Sequence, residues 1–90
     1  MTRVRYEPKV PALEFDGHAG AGVAGQDPVC AALSILLFTL VEAVPGAQLR
    51  AGDGYCRVRG GERASYELIA AGCRLLAENY PDCVSMEVSA

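Results

Sequence analysis

Ninety residues with 8 basic and 11 acidic side chains, a single histidine and a net charge of −3 leave room for one domain, spanning 1–90, and argue against a nucleic-acid binder driven by bulk charge. At 51% hydrophobic and 21% charged, the composition excludes global disorder. A chain this short buries only about two-thirds of its unfolded surface, so a staple or a partner chain would help it.

Thr2–Tyr6 sets Val4 and Tyr6 against Arg3 and Arg5, and Ala12–Asp16 sets Leu13 and Phe15 against Glu14 and Asp16. A period of two predicts half-buried strands, and Pro8 and Pro11 punctuate a hairpin between them. Pro28–Val44 reads as a helix: Asp27 stands at the N-cap, Pro28 at the first helical position, and Pro45-Gly46 closes it. Gln48–Ala51 and Tyr55–Arg59 flank Gly52-Asp53-Gly54, a second hairpin signal, with Cys56 and Val58 facing in and Arg57 and Arg59 out. Ser65–Tyr80 is a second helix, carrying Tyr66, Ile69, Ala70, Cys73, Leu76 and Tyr80 on one face and ending at Pro81. Cys83–Ser89 alternates again. The order β-β-α-β-β-α-β predicts an α/β domain of the α+β two-layer sandwich type. Its mostly antiparallel sheet of about five strands carries two helices on one face and meets water on the other.

The first helix is apolar nearly all round: between Val29 and Val44 only Ser34, Thr39 and Glu42 are polar. It is at the lower length limit for a membrane span and lacks basic flanks, so no membrane role is expected. A helix apolar on every side is buried on every side, whereas a two-layer sandwich hides only one face. The other face then meets the second helix or a second subunit, which predicts a homodimer through the first helix.

The cysteines at 30, 56, 73 and 83 form no C-x-x-C and match no zinc template, so no metal or organic cofactor is expected. With no secretory leader at Met1, free thiols in a cytoplasmic setting are the expectation. Gly20-Ala21-Gly22-Val23-Ala24-Gly25 spells G-x-G-x-x-G, but the helix start signals follow Gly25 instead of lying within the motif, which argues against a dinucleotide site. More telling is what this stretch joins. His18 ends the second strand, and Cys30 sits near the third position of the first helix, where backbone N–H groups and the helix dipole favour an anion. A thiol there forms a thiolate more readily, His18 could serve it as general base and acid, and first-turn N–H groups could hold an oxyanion. Equally, a cysteine in an apolar helix can be a small buried hydrophobe and the histidine a turn residue. Asp27 could orient His18, or cap the helix and oppose the thiolate by like-charge repulsion.

Gly17-His18-Ala19-Gly20, followed by Gly25-Gln26-Asp27-Pro28-Val29-Cys30-Ala31-Ala32-Leu33-Ser34, resembles the signature of the ribosomal-processing cysteine protease (Prp) family: G-H-A, a glycine-rich stretch, then G-x-D-(apolar)-V-C-A-A-x-S opening a helix. The likeness extends more loosely over the whole chain. It implies a small, commonly dimeric α/β cysteine protease that removes a short N-terminal extension from a large-subunit ribosomal protein precursor, cutting after an aromatic residue. By this resemblance the nucleophile falls on Cys30 and the histidine on His18, with Asp27 and Ser34 as supporting positions. Gly17, Ala19, Gly20, Gly22 and Gly25 belong to the substrate loop. Two departures stand out: Pro28 occupies a usually aliphatic position, and the connection at Pro45–Ala47 is short, which bears on substrate preference more than on chemistry.

Ser34, one turn beyond Cys30, could bond a peptide carbonyl or the carbonyl four residues back. Arg3, Arg5, Arg57 and Arg59 share the open sheet face with Glu14, Asp16 and Glu87, which predicts cross-strand ion pairs ahead of docking to ribosomal RNA or a ribosomal precursor. Two other readings remain open: a non-catalytic dimeric module gripping ribosomal or phage peptides, and a thiol redox protein. The latter is hampered by the lack of a resolving cysteine near Cys30 in sequence.

Overall fold

The computed structural model describes residues 1–17 and 27–89. In chain order the elements are β1 (Thr2–Glu7), β2 (Ala12–Asp16), α1 (Pro28–Ala43), β3 (Gln48–Gly52), β4 (Tyr55–Arg59), α2 (Arg63–Asn79) and β5 (Val84–Val88). The expected order and fold class hold. The strands form one five-stranded sheet in the order β3-β4-β2-β1-β5.

The sheet is mixed. The β1–β2, β2–β4 and β3–β4 pairs are antiparallel, whereas β1 and β5 run parallel, with Val4 opposite Met86. The reason lies in the connections. A helix between two strands of one sheet is a crossover, and a crossover returns the chain in the same direction. The pairings make β2 parallel to β3, with β4 between them, and β4 parallel to β5, with β2 and β1 between them. The domain is therefore two interleaved β-α-β units sharing one sheet.

The core forms between the sheet and the helices. Val4 and Tyr6 of β1, Leu13 and Phe15 of β2, and Val58 of β4 supply the sheet side, as the alternation predicts. Onto them α1 lays Val29, Leu33, Leu37 and Leu40, spaced three and four apart, and α2 lays Tyr66, Ile69, Ala70 and Cys73. Tyr66 is wholly buried, and its hydroxyl donates to the Gly60 carbonyl at 2.6 Å, so the polar tip is satisfied. The helices meet each other where Gly72 leaves room for Leu36; a Cβ at Gly72 would lie 2.9 Å from the Leu36 Cδ2 atom.

Within a single chain α1 is not buried on every side. Its outer face leaves Ile35 67% and Phe38 52% exposed, because the sheet covers one stripe and α2 only part of the rest. No helix among the described residues is long and apolar enough to cross a membrane.

On the opposite face of the sheet, Arg5 and Arg57 lie in register on either side of Glu14. Arg5 reaches Glu14 at 3.3 Å and Glu7 at 3.4 Å; Arg57 reaches Glu7 at 2.8 Å and Glu14 at 3.2 Å. The cross-strand pairs of Arg5 and Arg57 with Glu14 were expected; Glu7, which meets Arg5 along β1 and Arg57 from across the sheet, was not among the anticipated partners. All four side chains are half-buried, and each pair contributes on the order of 1 kcal/mol.

Candidate active site

The start of α1 is set by one carboxylate. Asp27 takes the extended backbone of an N-cap, with φ −83° and ψ 108°, and its Oδ1 accepts from the N–H of Val29 at 2.9 Å and of Cys30 at 3.0 Å. Its carbonyl accepts from the Ala31 N–H at 3.0 Å. Pro28 occupies the first turn, where a missing N–H leaves nothing unsatisfied. Cys30 therefore stands at the third position of a capped helix.

This cap corrects one expectation. The first-turn N–H groups considered for an oxyanion are already bonded to Asp27: Val29 and Cys30 to its side chain, Ala31 to its carbonyl. Of the two uses of Asp27 weighed from sequence, capping is the one these bonds display.

Cys30 opens into a cleft of about 200 Å³. α1 contributes Cys30, Leu33 and the exposed Ser34; β2 and its end contribute Phe15 and Gly17; the β3–β4 turn and β4 contribute Gly54, Tyr55 and Cys56. The walls are brought together by strand pairing, since Phe15 and Cys56 are register partners. Gly17 pins the end of β2. Its N–H donates to the Gly54 carbonyl at 2.7 Å, and its own carbonyl accepts from the Thr2 hydroxyl at 3.4 Å. Its φ of +96° is a left-handed value, and a Cβ there would run into the Met1 carbonyl oxygen, so the position requires glycine.

The structure thus brings Cys30, Ser34 and Gly17 to one cleft, with Asp27 at its helical edge. His18, Ala19, Gly20, Gly22 and Gly25 lie outside the described residues. Phe15, Tyr55 and Cys56 were missed as cleft residues. Alternation turned Phe15 and Cys56 inward, but only the β2–β4 pairing shows that they share a wall with Cys30. The other thiols suit nucleophilic work poorly. Burial pushes the Cys56 thiol up, and pushes that of the fully buried Cys73 up to about 12. Cys83 is half-buried against the core. No disulfide joins any of the four cysteines. Among the described residues no group of His, Cys, Asp and Glu is gathered as a metal site.

An α+β two-layer body with a cysteine at a capped helix start, opening into a small cleft, defines a compact thiol-enzyme domain. The family follows from comparison: the model described as cysteine protease Prp matches residues 1–85, and the chain belongs to that family of cysteine peptidases. Solved structures agree on the fold. The ribosomal processing protease Prp from S. aureus with a covalently linked product peptide superposes at a TM-score of 0.82 with 19% identity, covering 99% of this chain and 100% of that one. The same S. aureus protease in complex with a substrate peptide superposes at 0.75 with 18% identity, again covering 99% and 100%. SMU.848 from Streptococcus mutans superposes at 0.65 with 27% identity, covering 97% of this chain and 90% of that one. No curated protein sequence gives a significant match.

The cap predicts a graded stability series. Asp27→Ala loses the acceptor for two N–H groups and lowers the unfolding free energy by about 1 kcal/mol in urea denaturation, whereas Asp27→Asn retains most of it. Equal stability of Asp27→Ala and wild type would show that the cap does not hold the helix start.

Proposed function

We propose that this chain, acting as one domain over 1–90, is a cytoplasmic cysteine endopeptidase that removes a short N-terminal extension from a large-subunit ribosomal protein precursor. Cys30 is the nucleophile and His18 its acid–base partner. The observation that carries the reading is the cleft onto which Cys30 opens, in a chain of the cysteine protease Prp family. Gly17, the chain neighbour of His18, lines that cleft, which supports the pairing of the two. The S. aureus relative, crystallised with substrate and with covalently linked product, supports a peptide as the substrate class for this fold. The ribosomal extension is favoured by those relatives' described role and by the sequence signature.

The chemistry runs in two halves. The Cys30 thiolate attacks the scissile carbonyl carbon, forming a C–S bond and an oxyanion; collapse expels the amine, which takes a proton from His18. A water molecule, giving its proton to His18, then attacks the thioester. The acid product leaves, the Cys30 thiolate returns, and the pair is ready again. Because Asp27 already occupies the first-turn N–H groups, the exposed Ser34 hydroxyl is the α1 donor we assign to the substrate carbonyl. Asp27 is a positioning residue through its cap. Ala19, Gly20, Gly22 and Gly25 lie between the two reacting residues in sequence and Gly17 directly precedes His18, and we assign all five to substrate contact.

A peptide spanning an aromatic-terminated extension and the mature start tests this directly. Wild type cuts at one bond, Cys30→Ala and His18→Ala lower kcat by at least about 10³-fold, and Ser34→Ala by about 10²-fold with little change in KM. Binding without cutting by wild type would reduce the chain to a peptide-binding module.

A second copy of the chain is the partner we assign to the outer face of α1, where Ile35 and Phe38 stand exposed. Light scattering at micromolar concentration is expected to return the mass of two chains, falling toward one for Phe38→Glu. A wild-type mass of one chain would end this assignment.

A further inference from the structure

Cys56 takes no part in the hydrolysis described above, yet its side chain lines the same cleft as Cys30. It sits at the second position of β4, opposite Phe15 on β2, and packs partly buried against the core, as Cys30 does from α1. The other two cysteines are placed differently. Cys73 is wholly buried under α2, and Cys83 lies between α2 and β5; neither lines this cleft. Two thiols from distant parts of the chain, 26 positions apart, thus share one small cavity.

We propose that Cys30 and Cys56 form a reversible disulfide when the protein meets a hydroperoxide, with Cys56 as the resolving thiol, and that this bond switches the peptidase off. The proposal rests on Cys30 being the nucleophile. A thiolate that attacks carbonyl carbon also attacks peroxide oxygen. With hydrogen peroxide, the Cys30 sulfur forms an S–O bond as the O–O bond breaks, and hydroxide leaves; Cys30 is oxidised to the sulfenic acid and the peroxide is reduced. The Cys56 sulfur then attacks the sulfenic sulfur. An S–S bond forms, the S–O bond breaks, and the departing hydroxide takes the Cys56 proton and leaves as water. In sum, two thiols and one peroxide yield one disulfide and two waters.

Burial keeps the Cys56 thiol protonated at neutral pH, so it is the second reactant and not the peroxide target. Closing the bond consumes the nucleophile and crosses the cleft that would receive the scissile peptide. It also spares Cys30 from the irreversible sulfinic and sulfonic acids. A transient disulfide of this kind is the form in which cytosolic proteins use such bonds. A dithiol reductant reverses it by exchange, returning both thiols.

The test uses the full chain treated with a small excess of hydrogen peroxide, blocked with an alkylating agent and mapped by mass spectrometry. The expected product is a peptide pair joined Cys30 to Cys56, lighter by two hydrogens, which disappears after dithiothreitol. Each protein's cleavage activity is normalised to its own untreated value. Wild type recovers most of it on reduction, while Cys56→Ala recovers at least about tenfold less, its Cys30 having passed to the sulfinic acid. Cys56→Ser repeats the measurement should the alanine variant fold poorly, and Cys83→Ala is expected to behave as wild type. Absence of the Cys30–Cys56 pair, or a pair formed only between molecules, would overturn the proposal. So would equal recovery of wild type and the Cys56 variants. The joined peptide is read by mass and not by activity, so an inactive wild type that forms it would overturn the protease reading, and the switching role with it, while leaving the Cys30–Cys56 disulfide standing.

Discussion

The carboxylate of Asp27 is the contact on which the geometry of the site depends. It accepts two N–H groups of α1 with one oxygen and so decides the residue at which the helix begins. The helix it starts lays Val29, Leu33, Leu37 and Leu40, three and four residues apart, against the sheet, and Cys30 stands beside that stripe at the cleft. Asp27 as a whole engages the N–H groups of Val29, Cys30 and Ala31, and this is why we assign the substrate carbonyl to Ser34 instead of to these donors.

The other half of the site is supplied by the sheet. The β2–β4 pairing sets Phe15 beside Cys56, and the bond from Gly17 to Gly54 ties the end of β2 to the β3–β4 turn. Two interleaved crossovers bring both helices to one face and leave the other to the Arg5, Arg57, Glu7 and Glu14 cluster. Packing, pairing and capping thus converge on the small cleft that Cys30 lines.

Much of this was legible in the residues because local physics dictates it. Alternation located β1, β2, β4 and β5, the Gly52-Asp53-Gly54 turn signal located β3, β2 and β4 are bounded as expected, and Asp27-Pro28 located the start of α1. The second helix begins at Arg63, two residues before the predicted Ser65, since an exposed polar first turn adds nothing to an apolar period. What could not be read was long-range. Strand order and the parallel β1–β5 pair depend on where the crossovers land, and Glu7 joins the ion-pair cluster only because β1 lies next to β2 and β2 next to β4. Cys56 could be assigned to an inward face but not to the same cleft as Cys30, which is why sequence spacing alone disfavoured a redox role. The cap itself was legible at Asp27, but which N–H groups its carboxylate and carbonyl engage depends on three-dimensional geometry that spacing does not carry.

Peptide hydrolysis through a thiol passes through an acyl group carried on Cys30. To trap it, the protein is mixed with a peptide that spans an aromatic-terminated extension, quenched in acid within the first turnover, and the intact chain is weighed. The expected species is heavier by the acyl mass of the N-terminal fragment, mapped to the peptide containing Cys30, released by hydroxylamine and absent from Cys30→Ala. Cleavage at the same rate with no such adduct, or an adduct mapped to Cys56 or Cys83, would contradict acyl transfer to Cys30.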